Sequence, residues 1–241
     1  LITKTYEGIN LQPIYTQNDI KGLPHLNEMP GTANYSRGGS TGGYAGKSWD
    51  ICQELPFGDA EEFNEALKYD LERGQTAINL KLDYASKLGL DADYAKVGEV
   101  GKNGVSISGI RSFSRALKGV NLRNYPLYIE AGASPLPILA TLAGYLKQEN
   151  VDIKEIKFSI DADPLSYLAE NGKLPVSLES IYDEMAAAVK FCTSNCGDAR
   201  VIGVNTSAYH NAGASAVQEL AFAAASGIEY LDKMISRGIA I

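Results

Sequence analysis

The chain has 241 residues, 45% of them hydrophobic and 21% charged, which is ordinary for a globular protein and leaves room for one large domain or two small ones. Its formal net charge of −7 disfavours nonspecific binding to nucleic acid or to an anionic membrane, because both need a positive field. The longest apolar run, residues 133–146, is too short to span a bilayer and contains two prolines, so we predict no transmembrane helix and no membrane partner. A cytoplasmic location is predicted from the three cysteines, an odd number that is typical of reduced thiols.

The first predicted region is an extended N-terminal arm over residues 1–57. It is rich in turn-forming residues and has little helical periodicity, so we expect it to be ordered only where it lies on another surface. Regular patterning begins at residue 58 and continues to residue 241. We therefore predict two parts, an arm over 1–57 and a folded domain over 58–241.

The arm contains a glycine-rich stretch, residues 36–49, which reads SRGGSTGGYAGKSW and ends in the Gly-Lys-Ser of phosphate-binding loops. A phosphate-binding loop needs a first glycine five positions before Gly46, but Thr41 stands there. It also needs a buried strand before it and a helix after it, whereas Pro56 limits any following helix. The sequence therefore favours a flexible turn over a nucleotide site.

Helices and strands alternate after residue 58. The first helix is capped by Asp59 and stopped by Gly74, and Ser177 caps a later one. The predicted strands cover residues 76–82, 125–129, 155–160 and 200–204, and the further helices cover 109–117, 136–148, 164–170, 178–192 and 214–236. The last helix carries one apolar stripe, formed by Val217, Leu220, Ala221, Ala224, Ile228, Leu231 and Ile235.

Such alternation is typical of a parallel sheet, and four strand–helix units make up half of a (β/α)₈ barrel. Half a barrel has two sheet edges that must be covered. We therefore expect that the chain is the N-terminal part of a longer polypeptide or that a partner closes the barrel. Residues 238–241 would begin a fifth strand.

The cysteine content indicates reduced thiols, because Cys52, Cys192 and Cys196 are odd in number. Cys192 and Cys196 are spaced to share one face of a helix. A metal site needs further ligands, and the chain has only two histidines, His25 and His210. Plain burial of the two cysteines is favoured over a metal site.

Ordered sequence blocks along the whole chain resemble the N-terminal half of the methylmalonyl-CoA mutase family. They include Tyr6-Glu7-Gly8-Ile9, Gly74-Gln75-Thr76, Gly98-Glu99-Val100-Gly101, Ser207-Ala208-Tyr209-His210, Ala212-Gly213-Ala214 and Gly227-Ile228-Glu229-Tyr230. The resemblance implies an arm followed by the first half of a (β/α)₈ barrel that binds acyl-CoA. A separate C-terminal domain of the family carries adenosylcobalamin, and together they interconvert succinyl-CoA and methylmalonyl-CoA.

Several residues depart from the pattern of the family's catalytic chain. Glu54 aligns with a tyrosine that lies against the reacting acyl group, and Lys47 and Cys52 align with two arginines that help to bind the CoA thioester. Asp161-Ala162-Asp163 replaces Gln-Asn-Asp, and Asn171 replaces the arginine that pairs with the substrate carboxylate. The histidine after the fourth strand is retained as His210.

These departures resemble the small, non-catalytic subunit of two-chain mutases. The resemblance then implies a heterodimer with a large catalytic subunit, adenosylcobalamin that is not bound by this chain, and scaffolding as its role. Lys47 would be a vestigial contact to acyl-CoA, and His210 either a catalytic or a retained structural residue. The alternative is an active acyl-CoA mutase chain with an altered site, truncated before its cobalamin domain.

Overall fold

The computed structural model describes residues 1–240. The chain divides into two compact units, Leu1–Asp50 and Ile51–Ile241. The first unit has little regular structure. Its elements are the antiparallel pair β1 (Thr3–Lys4) and β2 (Asn10–Leu11), a 3₁₀ turn over Pro24–Asn27, and the single-turn helix α1 (Gly43–Gly46). None of residues 1–50 is fully buried, so this unit has no hydrophobic core of its own.

The second unit is built on a four-stranded parallel sheet. Its strands, in spatial and chain order, are β3 (Ile78–Lys81), β4 (Leu127–Glu130), β5 (Lys157–Ala162) and β6 (Asp198–Ile202). Its helices are α2 (Ala60–Leu71), α3 (Tyr84–Lys87), α4 (Ile110–Ala116), α5 (Pro135–Gln148), α6 (Pro164–Asn171), α7 (Leu178–Asn195), α8 (Ser207–Asn211) and α9 (Ala216–Ser236). This arrangement confirms the predicted fold class, an α/β chain consistent with the first half of a (β/α)₈ barrel.

The two predicted helix caps, Asp59 and Ser177, are confirmed. The Asp59 carboxylate accepts hydrogen bonds from the backbone N–H groups of Glu61 and Glu62, at 2.9 and 3.1 Å, and so caps α2. The Ser177 hydroxyl accepts from the N–H of Ser180 at 3.1 Å and caps α7. The short helices α3 and α8 were not predicted, because one turn gives too few residues for a periodic pattern.

The strands bury one face against the helices. Ile78 and Leu80 of β3, like Leu127 and Ile129 of β4, have no exposed surface and belong to the same hydrophobic cluster as Phe63 of α2. Burial of each such side chain contributes roughly 1.5–3 kcal/mol to folding. The alternate residues of these strands point to the other face, where they are polar and half-buried: Asn79, Lys81, Tyr128 and Glu130.

Some predicted strand boundaries were wrong. The fourth strand lies two residues earlier than predicted, at Asp198–Ile202, and the third lies two later, because Glu155 belongs to a 3₁₀ turn. Gly238 to Ala240 pair with no strand, and Ile241 lies outside the described residues. The apolar stripe of α9 is largely exposed, with Leu220 at 71% and Ile228 at 61%, because α9 packs through its Tyr230 and Met234 side instead.

The predicted boundary between the arm and the folded domain, after residue 57, remains a prediction. Residues 51–57 group with the second unit, in which the Ile51 carbonyl accepts backbone hydrogen bonds from Thr76 and Ala77. Within residues 1–240, none of the helices combines the length and apolar character that crossing a bilayer requires.

Candidate ligand site at the carboxyl ends of the strands

Two cavities, of about 570 and 500 Å³, open where the strands of the second unit end. Both are lined by Lys87, Glu130, Tyr167, Glu170 and Asn205, so they adjoin. In (β/α)₈ proteins the loops that follow the carboxyl ends of the strands build the functional site. These cavities are therefore the candidate site of this chain, and their size suits a metabolite.

An ion pair crosses the floor shared by the two cavities. The ammonium of Lys87, at the end of α3, lies 2.6 Å from the Glu130 carboxylate at the end of β4. Their side chains are 11% and 35% exposed, so much of the pair is shielded from water. The fully buried Asp83 positions α3, since its carboxylate accepts from the N–H groups of Ser86 and Gly101 at 2.8 and 2.7 Å. The charge of Lys87 is thus already neutralised within the chain.

A second ion pair lies on the wall of the smaller cavity. The Lys81 ammonium, at the end of β3, donates to Glu54 at 2.9 Å. Burial disfavours the charged ammonium, but the hydrogen bond from Lys81 to Glu54 and the charges of Glu54, Glu130 and Glu170 outweigh it and raise the pKa of Lys81. Glu54, which aligns with a tyrosine in the resemblance, therefore holds a neighbouring cation.

Asp163 is a structural carboxylate at the wall of the larger cavity. It caps α6 by accepting from the N–H of Ser166 at 3.0 Å, and it accepts from the N–H of Asn205 at 2.6 Å. The Tyr230 hydroxyl also donates to it. Burial and the neighbouring Asp163 raise the pKa of Tyr230, which keeps the phenol protonated as a donor.

Asp161 lies beside Asp163 in a strained backbone conformation. Its φ is +37°, near the left-handed region that residues with a Cβ rarely adopt. The Ser159 hydroxyl donates to its carboxylate. Burial raises the pKa of Asp161, the charge of Glu130 adds to the effect, and the Ser159 hydrogen bond opposes it. The charge of Arg200 also opposes the rise, although no ammonium or guanidinium of the described residues lies within ion-pair distance of Asp161.

Tyr167 has a buried hydroxyl that is left without a hydrogen bond. The residue is 5% exposed, and its phenol oxygen has no partner with hydrogen-bond geometry in the described part of the chain. Burial raises the pKa of Tyr167, and the neighbouring Tyr84 adds to the effect through its charge and through a hydrogen-bond interaction of loose geometry. An unsatisfied buried hydroxyl costs about 1–3 kcal/mol, so its presence in a cavity wall needs an explanation.

His210 lies outside the lining of both cavities. It belongs to α8, its side chain is 66% exposed, and its Nδ1 lies 2.5 Å from the Glu219 carboxylate of α9. Glu219 also accepts from the Thr206 hydroxyl at 3.0 Å, and the hydrogen bond to His210 lowers the pKa of Glu219. The structure therefore gives His210 a carboxylate partner at the surface, and a catalytic role for it stays a prediction.

The other predicted site residues are dispersed. Lys47 lies in the first unit, where its ammonium is 3.2 Å from Asp50, and its contact to acyl-CoA stays a prediction. Cys52 lines the larger cavity and Asn171 the smaller. The Asn171 amide donates to the backbone carbonyl of Tyr167 at 3.0 Å, so it serves the end of its own helix.

Sequence reasoning missed Lys87, Glu130 and Tyr167. A usable signal existed for Glu130, since it directly follows the predicted strand 125–129 and continues the polar side of its alternation. Lys87 required the unpredicted helix α3. Among residues 1–240, no group of three or more histidine, cysteine, aspartate or glutamate side chains is placed to hold a metal ion.

The chain was compared with known proteins. The family model described as Methylmalonyl-CoA mutase matches residues 4–241. The chain belongs to the methylmalonyl-CoA mutase family. Similar relatives are the methylmalonyl-CoA mutase of Escherichia coli (strain K12), 31% identical over 245 residues, and that of Rhizobium meliloti (strain 1021), 29% identical over 240 residues. The alignments cover 100% and 99% of this chain, and 34% of each relative.

A third relative carries a subunit name. The methylmalonyl-CoA mutase large subunit of Porphyromonas gingivalis (strain ATCC BAA-308 / W83) is 29% identical over 237 residues, covering 98% of this chain and 33% of that subunit. The chain therefore spans about a third of the length of the curated mutases that it matches. Membership of the mutase family is shown for the arm and barrel region, and the activity of the whole relatives is a separate question.

Proposed function

We propose that this chain is the small subunit of a heterodimeric, adenosylcobalamin-dependent methylmalonyl-CoA mutase, in which a large subunit performs the reaction. Its role there is to scaffold the complex while the partner interconverts succinyl-CoA and methylmalonyl-CoA. Adenosylcobalamin belongs to the holoenzyme in this proposal and is not bound by this chain.

The observation that carries the proposal is the charge of the two cavities. Their walls hold two ammonium groups, Lys81 and Lys87, and each already pairs with a glutamate. The remaining carboxylates on the walls are Asp161, Asp163 and Glu170. Both acyl groups of the mutase reaction carry a free carboxylate, which an acidic wall repels.

The residue expected to bind that carboxylate supports the same conclusion. In the resemblance, Asn171 stands where the catalytic chain has an arginine, and its amide is engaged by the α6 backbone. An asparagine supplies neither the charge nor the bidentate fork that makes arginine a strong carboxylate ligand. Glu54 likewise stands in place of a tyrosine and pairs with Lys81.

One observation favours the alternative, an active acyl-CoA mutase chain with an altered site. His210 follows the fourth strand of the sheet, and the carboxylate of Glu219 holds one nitrogen of its ring. A carboxylate that orients a histidine is a common feature of catalytic bases. The exposure of the ring and its absence from both cavity linings weigh against this alternative.

The test compares the chain alone with the chain mixed with a large mutase subunit from the same organism. Adenosylcobalamin binding is followed by absorbance, and turnover of succinyl-CoA by product formation. We expect neither with this chain alone, and higher turnover in the mixture than with the large subunit alone. A spectral change and turnover by this chain alone would contradict the proposal and favour the active-chain alternative.

A further inference from the structure

Cys192 and Cys196 lie one helical turn apart at the end of α7. Cys196 directly follows the last residue of the helix, and its backbone N–H donates to the Cys192 carbonyl at 2.9 Å. Residues four apart in such a turn face the same side, with about 5–6 Å between their Cβ atoms. Cys192 is 6% exposed and Cys196 is half-buried. The burial that the sequence predicts therefore holds for Cys192 and is incomplete for Cys196, which an ion can reach from solvent.

Both cysteines line a cavity of about 190 Å³ between α7 and β6, which we call the thiol cavity. Its other wall residues are Val189, Thr193, Gly197, Ala199 and Val201, and none of them lines the two cavities of the candidate ligand site. Among these described wall residues only Thr193 has a side-chain oxygen, and its hydroxyl already donates to the Val189 carbonyl at 2.9 Å. The ligand atoms that the side chains of this cavity offer are therefore the two sulfurs.

We propose that the thiol cavity binds one soft monovalent cation of the Cu(I) class between the sulfurs of Cys192 and Cys196. Thiolate sulfur is a soft ligand that selects Cu(I), and an ion of this class is satisfied by two sulfurs in a line. The further ligands that a zinc site needs are not required. The site goes beyond the proposed scaffolding role and does not rest on it.

The spacing of the two residues suits a bridging ion better than a disulfide. A disulfide requires Cβ atoms about 3.5–4.5 Å apart, closer than one helical turn places them. A sulfur–metal–sulfur bridge is longer than a sulfur–sulfur bond, so it spans the turn with less movement of the backbone. The backbone after Cys196 is also held in place, because a Cβ on Gly197 would lie 2.5 Å from the carbonyl oxygen of Lys154.

Both thiols are protonated at neutral pH. Burial raises the pKa of Cys192 to about 12, and the neighbouring Cys196 adds to the effect. Burial also raises the pKa of Cys196, while a hydrogen-bond interaction with Cys192 opposes the rise. Protonated thiols are poor nucleophiles, which disfavours oxidation and alkylation, whereas a soft metal ion displaces the proton of a thiol that ligates it. The pair is therefore better suited to hold an ion than to react covalently.

Other classes of metal ion fit the thiol cavity less well. Mg²⁺ and Ca²⁺ require several oxygen ligands, and no carboxylate is among the described wall residues. Zinc is held by four ligands in structural sites and by three in catalytic sites. Within residues 1–240, no third histidine, cysteine, aspartate or glutamate completes such a set around the two cysteines.

The test measures Cu(I) binding to the full chain under nitrogen, by competition with the chromophoric chelator bicinchoninate. We expect one Cu(I) per chain, the same stoichiometry for the redox-inert ion Ag(I), and binding of Zn²⁺ weaker by about 100-fold or more. X-ray absorption by the loaded chain should show two sulfur neighbours around Cu(I). Absence of Cu(I) binding, Zn²⁺ binding as tight as that of Cu(I), or a shell of nitrogen and oxygen neighbours would overturn the proposal.

Cysteine variants locate the ion. Cys192→Ala and Cys196→Ser each remove one of the two ligands and should weaken Cu(I) binding by about 100-fold or more, since loss of an outer-shell partner alone costs about 10–100-fold. Their control is Cys52→Ser, at the exposed third cysteine, which should bind as the unchanged chain does. If Cys52→Ser weakens binding as much as the other two variants, Cu(I) is held by thiols in general, and the proposal is wrong.

Thermal unfolding separates a lost ligand from a lost structure. An ion that binds the folded state raises the unfolding temperature by mass action. Cu(I) should therefore raise it in the unchanged chain and in Cys52→Ser, and leave it unchanged in Cys196→Ser, whose half-buried side chain keeps its shape. An equal rise in Cys196→Ser would contradict the proposal. These outcomes are independent of the reconstitution experiment, which alone decides the scaffolding role.

Discussion

The hydroxyl of Tyr230, in the middle of α9, donates a hydrogen bond to the carboxylate of Asp163 at the carboxyl end of β5. The same phenol oxygen accepts from the backbone N–H of Leu165 at 3.0 Å, and Asp163 in turn accepts from Asn205 in the loop after β6. Two side chains therefore fasten the last helix, the start of α6 and the final strand loop to one another. Both residues are almost fully buried, so the bond is shielded from competing water.

Tyr230→Phe should lower the free energy of unfolding by about 1–3 kcal/mol, because it removes a hydrogen bond to the buried Asp163 carboxylate and leaves the N–H of Leu165 without its acceptor. Urea unfolding followed by circular dichroism measures this. Tyr69→Phe, an exposed tyrosine of α2, is the control and should change stability by less than about 0.5 kcal/mol. Equal stability of the two variants would show that the Tyr230–Asp163 bond does not hold the helices together.

The Lys87–Glu130 pair gives a second prediction. Lys87→Met leaves the Glu130 carboxylate on a half-buried floor without its cation, and should cost about 1–2 kcal/mol of stability, below the cost for a fully buried pair because water still reaches Glu130. Adding Glu130→Gln to Lys87→Met should recover part of the loss. A double-mutant cycle of unfolding free energies checks the coupling, and additive losses would mean that the two charges do not interact.

Much of the fold was predictable because its signals are local. The Asp59 and Ser177 caps and the period of α7 place helices, and alternating apolar residues place strands within two residues of their observed ends. The candidate site could not be predicted in this way, because its partners are far apart in the sequence. Lys87 and Glu130 are separated by 43 residues, and Asp163 and Tyr230 by 67. Such pairs are brought together by the sheet, and no local pattern encodes them.

The apolar stripe of α9 shows a different limit of sequence reasoning. Hydrophobic periodicity gave the helix correctly, from about residue 214 to residue 236. It does not say whether the apolar stripe is covered: Leu220 and Ile228 are exposed, and the buried side of the helix contains Ser226 and Tyr230. A pattern records that a face is apolar, and only the neighbouring elements determine whether it is covered.

The third prediction concerns two glycines, whose replacement by alanine should change the stability in opposite directions. A Cβ on Gly104 would lie 2.4 Å from the backbone oxygen of Lys81, at the end of β3, so Gly104→Ala should destabilise the protein by about 1–3 kcal/mol or more. Gly227, inside α9, has nothing within 4 Å of its would-be Cβ. Gly227→Ala should therefore stabilise by about 0.5–1 kcal/mol, through the higher helix propensity of alanine. Thermal unfolding of the two variants side by side tests both signs.

Asp161 makes stability depend on pH. Burial raises its pKa above the ordinary value of 3.8, so the folded state holds this proton more tightly than the unfolded state does. The contribution of this group to stability is full below pH 3.8 and is lost as pH rises through its raised folded pKa. Asp161→Asn removes the ionisation, and asparagine tolerates a positive φ. The variant should therefore be more stable than the unchanged chain at neutral pH, by on the order of 1 kcal/mol.

The pH prediction is checked by urea unfolding at several pH values between acidic and neutral. The stability advantage of Asp161→Asn should grow as pH rises. Asp93→Asn, at an exposed position, is the matched control and should show no such trend. An advantage that stays constant with pH would mean that Asp161 titrates alike in the folded and unfolded states.

The last prediction concerns His210 in the mixed complex with a large subunit. The ring is 66% exposed, pairs with Glu219 and lies outside both cavity linings, so in the scaffolding proposal His210→Gln should leave succinyl-CoA turnover within about twofold of the unchanged complex. Loss of a general acid or base costs about 10²–10⁴-fold in rate. Glu219→Gln, which removes the partner and keeps the ring, should be equally silent. A loss of turnover on that catalytic scale, in a variant that unfolds like the unchanged chain, would instead place His210 in the reaction and favour the active-chain alternative, because an exposed structural histidine has no means of slowing chemistry in another subunit.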